Sequence, residues 1–126
     1  MDGPRQVTVY GIDQGVTMRV YRIVRTEIVD DPMMLNSFRS HFALGEEPRR
    51  VERQSALMHM GISVYTDPSV ARGTAERFPK LGDYIAEVNI DATMGVDYAR
   101  TGHPLHLTLW ADPVKLCAAV ADIEPV

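Results

Sequence analysis

The residues of this chain that can do chemistry fall into a few small sets. Arg22 and Arg25 lie in the run Met18 to Arg25, and guanidinium groups grip phosphate or carboxylate oxygens through a fixed fork of donors. Ser63 and Tyr65 alternate within Gly61-Ile-Ser-Val-Tyr65, so on a strand their hydroxyls share one face. Glu76 and Glu87 are carboxylates able to stabilise developing positive charge. Of the histidines His41, His59, His103 and His106, the pair His103-x-x-His106 with Asp112 beyond it has the composition of a metal site. Its spacing argues otherwise: positions three apart on a strand face opposite sides, and Pro104 opposes the helix that would align them. No metal is expected, and His106 reads as a polar partner on a half-buried strand. Ser63 lacks the second glycine of a hydrolase elbow, and the chain holds neither a Gly-x-Gly-x-x-Gly fingerprint nor a phosphate loop.

The elements that position these residues follow from hydrophobic spacing and turn chemistry. Gln6 to Tyr10 and Thr17 to Val24 are rich in strand-forming residues, with Gly11 to Gly15 as a turn between them, which predicts two strands and suggests a hairpin. Residues 1–15 are the least determined part and read as a peripheral segment. Asp30-Asp31-Pro32 opens a helix over about residues 32–43, with Gly45 near its end. The charged stretch Glu46 to Arg53 reads as a solvated loop or helix face.

A strand–helix–strand unit spans Gly61 to Ile90. Ile62 to Thr66 is its first strand, Asp67-Pro68-Ser69 starts a helix that must stop before Pro79, and Tyr84 to Ile90 is its second strand. Tyr84, Ala86, Val88 and Ile90 share one face of that strand. Asp91 to Pro104 reads as a loop, Leu105 to Trp110 as a strand, Asp112-Pro113 as the start of a helix to about Ala119, and Val120 to Val126 as a final strand. The expected fold is therefore α+β: a small twisted sheet, mixed or antiparallel, with two or three helices in one domain.

Bulk composition narrows the partners. Thirteen Lys and Arg against seventeen Asp and Glu give a net charge of −4, which disfavours duplex nucleic acid. The N-terminal residues carry Asp2 and Asp13 where a signal peptide needs an apolar run, and Trp110 to Val126 is too charged to cross a bilayer. The expected location is the cytoplasm, with no membrane partner. The single cysteine, Cys117, sits in an apolar run where a small buried thiol is the default.

Gly61-Ile-Ser-Val-Tyr65, Tyr84-Ile-Ala86, Gly102-His103, Thr108-Leu-Trp110 and Asp112-Pro113 together resemble a family of small uncharacterised bacterial proteins over about residues 20–126. A second resemblance is at the level of the fold. Tyr21-Arg22, then Val64-Tyr65-Thr66, then Glu76 along a helix, are similar to the pattern of RES-domain proteins. That resemblance implies an ADP-ribosyltransferase-like fold and NAD as the substrate, with a link to NAD-consuming toxins. The chain departs from the pattern before the tyrosine strand, where a Gly-Arg-Trp element is replaced by Arg49, Arg50 and Arg53 without the tryptophan.

The resemblance implies NAD glycohydrolysis or ADP-ribosyl transfer, which passes through an oxocarbenium-like state and needs a carboxylate beside it and cations on the pyrophosphate. Glu76 and Tyr65 are then the candidate catalytic residues, with Glu87 as a second carboxylate. Arg22, Arg25 and Ser63 are the candidate NAD-binding residues. Each has a plainer reading: Glu76 beside Arg77 suits a surface pair, Arg22 a solvent-facing strand residue, and Tyr65 a core aromatic with a wet hydroxyl. The alternative function is a non-catalytic module binding a protein partner as regulator or inhibitor through Met33, Met34, Met58 and Met60.

Overall fold

The computed structural model describes residues 7–48 and 56–126. Among these, the chain forms seven strands and four α-helices. Their order is β1 (Tyr10–Gly11), β2 (Thr17–Val24), α1 (Pro32–Ser37), α2 (Ala56–His59), β3 (Ile62–Tyr65), α3 (Pro68–Arg77), β4 (Tyr84–Asp91), β5 (Asp97–Arg100), β6 (His106–Trp110), α4 (Pro113–Ala118) and β7 (Val120–Pro125).

Three of the helices begin with one device. Asp31, Asp67 and Asp112 each hold an extended backbone, accept a hydrogen bond from the amide two residues on, and precede a proline at the first helical position. The carboxylate satisfies one orphan amide, and proline has none to satisfy at that place.

The strands form one sheet in the order β1-β5-β6-β3-β2-β4-β7, with every pairing antiparallel. This sheet is larger than the small one expected. The strand–helix–strand unit is present as β3-α3-β4, but its two strands are not neighbours, because β2 lies between them and pairs with both.

The expected hairpin of the first two strands does not form. Tyr10 pairs with Tyr98 and Gly11 with Asp97, so β1 extends the far edge of the sheet through β5. Tyr10 and Tyr98 bring their rings to 5.7 Å across that rung. β5 itself lies in the stretch expected as a loop. Helix α1 is also shorter than expected, ending at Ser37, with Phe38 as its C-cap and turns thereafter. The Ser37 carbonyl accepts from the Arg22 side chain instead of continuing the helix.

Helices cover both faces of the sheet. On one face Val20 and Val24 of β2, Val64 of β3, Val88 and Ile90 of β4 and Leu107 and Leu109 of β6 pack with Met34, Phe38 and Leu116. On the other, Ile23 and Ile85 meet Ala71 and Ala75 of α3, with Tyr21 and Tyr65 against them. Small alanines let α3 lie close to the sheet. Cys117 is half-buried against the larger core, its thiol donating to the Val29 carbonyl at 3.9 Å; burial, and then the Asp30 carboxylate, push that thiol up.

Gly82 brings the chain into β4 against the end of β2. A Cβ there would run into the carbonyl of Val24. Gly82→Ala should therefore cost more than about 2 kcal/mol, read as a lower midpoint in urea denaturation; an unchanged midpoint would show that β2 can yield at this point.

Candidate functional site

The site begins with a defect in the sheet. β2 pairs with β4 over eight residues and β3 with β6 over four, yet β2 meets β3 only where Tyr21 faces Tyr65. Continued pairing would set Arg22 opposite Val64 and Ile23 opposite Ser63, but the strands diverge instead. Arg22 crosses the opening: its Nε donates to the Ser37 carbonyl at 2.9 Å and its Nη1 to the Ser63 carbonyl at 2.8 Å. The planar guanidinium aims two donors at once and ties β2, β3 and the end of α1 together.

The divergence opens a cleft of about 1280 Å³. Arg22, Arg25 and Ser63 line it, as does Tyr65, so four of the five residues singled out in the sequence come together. The fifth does not. Helix α3 turns about 100° per residue, so Val70, Gly73, Thr74 and Arg77 form the stripe that lines the cleft while Ala71 and Ala75 meet the core. Glu76 falls on the remaining side, exposed and outside the lining. Glu87 is also outside it, 3.7 Å from Arg19 in an ion pair.

Arg39, Arg77 and Lys80 add to Arg22 and Arg25 around the cleft. Among the described residues, five Lys and Arg thus line it, against one acidic residue, Glu46. A chain of net charge −4 therefore holds a concave positive region, where low-dielectric walls strengthen the field. Some of this charge is engaged: Arg39 donates to the Asn36 side chain at 3.0 Å, and Glu46 lies 3.7 Å from His41.

Tyr65 and His106 are paired across β3 and β6, their rings edge to face at 5.3 Å. His106 is buried, and its Nδ1 lies 2.6 Å from the Thr101 carbonyl oxygen. Burial pushes this imidazole below the ordinary histidine value; the Thr101 carbonyl opposes the shift, and the charges of Arg22 and His103 reinforce it. His103, by contrast, is exposed and accepts from the Leu105 amide at 3.0 Å. Among the described residues, no group of three or more His, Cys, Asp or Glu is placed to hold a metal ion, and no helix is long and apolar enough to cross a membrane. The four methionines separate, Met34 and Met58 into the core and Met33 and Met60 to the surface. Arg49, Arg50 and Arg53 lie outside the described residues.

The strand pattern located Ser63 and Tyr65. It gave no signal for Arg39, Arg77 or Lys80, which reach the cleft through the turns after α1 and the end of α3. Comparison with known proteins adds no relative: no family model, curated protein or solved structure matches the chain.

Two outcomes follow from this geometry. Arg22→Ala leaves the Ser37 and Ser63 carbonyls without their donor and should destabilise the fold by about 2–4 kcal/mol in urea titration, and Arg22→Lys should not restore full stability because an ammonium lacks the fork. His106 should titrate below about 6.5 by NMR. Since the unfolded chain then binds the proton more readily than the native one, the His106 contribution is complete above about pH 6.5 and is lost as pH falls from there to the native value. A His106 midpoint above 6.5 would refute this.

Proposed function

We propose that the cleft binds a phosphate-bearing nucleotide of the NAD or ADP-ribose class, which makes this an NAD-binding or ADP-ribosyl-handling protein. The observation that carries the reading is the charge of the lining: among the described residues, Arg22, Arg25, Arg39, Arg77 and Lys80 stand against Glu46 alone. Such a surface favours a pyrophosphate over a neutral or cationic ligand. The cleft volume of about 1280 Å³ exceeds that of a site for a drug-sized molecule, about 300–1,000 Å³, and suits an extended ligand. Tyr65 offers an aromatic edge and a hydroxyl to the base or nicotinamide end. The resemblance of Tyr21-Arg22 and Val64-Tyr65-Thr66 to RES-domain proteins supports the same ligand, and the fold proposed with it is ADP-ribosyltransferase-like.

The residues take distinct parts in this reading. Arg22 shapes the cleft, since its guanidinium is engaged with two carbonyls. Arg25 and Arg77 are exposed at the cleft and meet the phosphates. Breaking the ribose–nicotinamide bond requires a carboxylate close to the developing charge. Glu46, rather than Glu76, is the carboxylate in the lining that such a step would draw on.

Calorimetric titration with NAD and with ADP-ribose tests the proposal, with chromatographic detection of nicotinamide as the readout for cleavage. Binding should weaken as salt rises. The double variant Arg25→Ala/Arg77→Ala should lose about tenfold or more in affinity, whereas Glu76→Ala should stay close to wild type. If neither nucleotide binds the wild-type protein, the reading fails.

A further inference from the structure

We propose that His106 is a fixed hydrogen-bond acceptor of the cleft, presenting an unprotonated Nε2 to a hydroxyl or amide N–H of the bound ligand. The ligand's identity rests on the nucleotide reading above; the placement of the proton does not.

The tautomer follows from the partner of the other ring nitrogen. Nδ1 lies 2.6 Å from the Thr101 carbonyl oxygen, and a carbonyl can only accept. The single proton of the neutral ring therefore sits on Nδ1, which leaves Nε2 with its lone pair. The Thr101 hydroxyl is 3.0 Å from the same nitrogen and 2.8 Å from the Thr108 hydroxyl, so a buried network holds the ring from one side. The edge-to-face contact with Tyr65 holds its plane.

Nε2 is open to the cleft. It has no hydrogen-bond partner among the described residues, yet among those residues no sealed side-chain polar atom lacks a partner. His106 also belongs to the lining. The charged and titratable groups that act on or touch it are Arg22 on β2, His103 on the preceding turn and Tyr65 on β3, while Arg77 of α3 lines the same cleft. Burial together with Arg22 and His103 holds the ring neutral, so the acceptor persists at neutral pH.

This acceptor complements the rest of the cleft. Arginine and lysine side chains only donate, so they attract an anion and cannot recognise a donor on it. An imidazole lone pair at a fixed place does recognise one. On a nucleotide of the proposed class the matching groups are a ribose hydroxyl and the nicotinamide carboxamide.

Long-range proton–nitrogen NMR correlation on nitrogen-15-labelled wild-type protein at neutral pH should show Nε2 as the unprotonated nitrogen, and diethyl pyrocarbonate should acylate His106 there. Both readouts are independent of any ligand. His106→Asn keeps an amide N–H at the position of Nδ1, and so the bond to Thr101, but has nothing at the position of Nε2. That variant should melt close to wild type and bind ADP-ribose or NAD about tenfold more weakly. Loss with both ligands assigns the ribose hydroxyl, and loss with NAD alone assigns the carboxamide. A proton on Nε2, a ring inert to the reagent, or a folded His106→Asn protein that binds both ligands as tightly as wild type overturns the proposal. If wild type binds neither nucleotide, the nucleotide reading falls and the two ligand-free readouts decide the acceptor.

Discussion

The structure depends on one side chain doing what a strand ladder would otherwise do. Where β2 and β3 diverge, their backbones are no longer in reach of each other, since paired strands must lie about 4.8 Å apart. Arg22 spans the opening with a longer arm and satisfies carbonyls of Ser37 and Ser63, in two segments distant from each other in the chain. Buried or half-buried carbonyls need donors. The guanidinium supplies them without closing the sheet, and the space left over is the cleft.

The electrostatics of the cleft follow from the same arrangement. Arg25 follows the end of β2, Arg39 lies in the turns after α1, and Arg77 and Lys80 flank the end of α3. None of these is close in sequence to all the others; the opening of the sheet is what brings their ends of the elements together. Apart from Glu46, acidic residues among those described are placed elsewhere, Glu87 beside Arg19, and Glu124 beside Arg72 at 3.2 Å. The global charge thus says little about the field inside the cleft, which is locally reversed.

How much of this was legible in the sequence depended on range. Local chemistry read well: the three Asp-Pro starts, the alternation of Tyr84 to Ile90, and the strand character of Ile62 to Tyr65 are decided within a few residues. β5 was missed because Asp97-Tyr-Ala-Arg100 is a strand only through its neighbours β1 and β6, and the false hairpin arose because β1 pairs with that distant segment rather than with β2. Helix α1 was overextended because nothing local shows that Arg22 takes the Ser37 carbonyl. Ser63, Tyr65, Arg22 and Arg25, singled out by residue type, strand phase and the resemblance, line one cleft. Glu76 was placed by its distance from Tyr65, which fixes the turn of a helix but not which side of the turn faces the cleft. The acceptor role proposed for His106 was invisible, since it depends on a carbonyl five residues earlier folding back onto Nδ1.

The single rung between Tyr21 and Tyr65 gives the sheet a seam. On one side stand β1, β5, β6 and β3, on the other β2, β4 and β7, and the larger core runs beneath both. A load applied across the seam meets fewer backbone bonds than one applied anywhere else between β5 and β7, so the two half-sheets act as jaws joined by their shared core. The cleft is lined from both jaws, so an occupant of the proposed kind would bridge them where the rungs are missing.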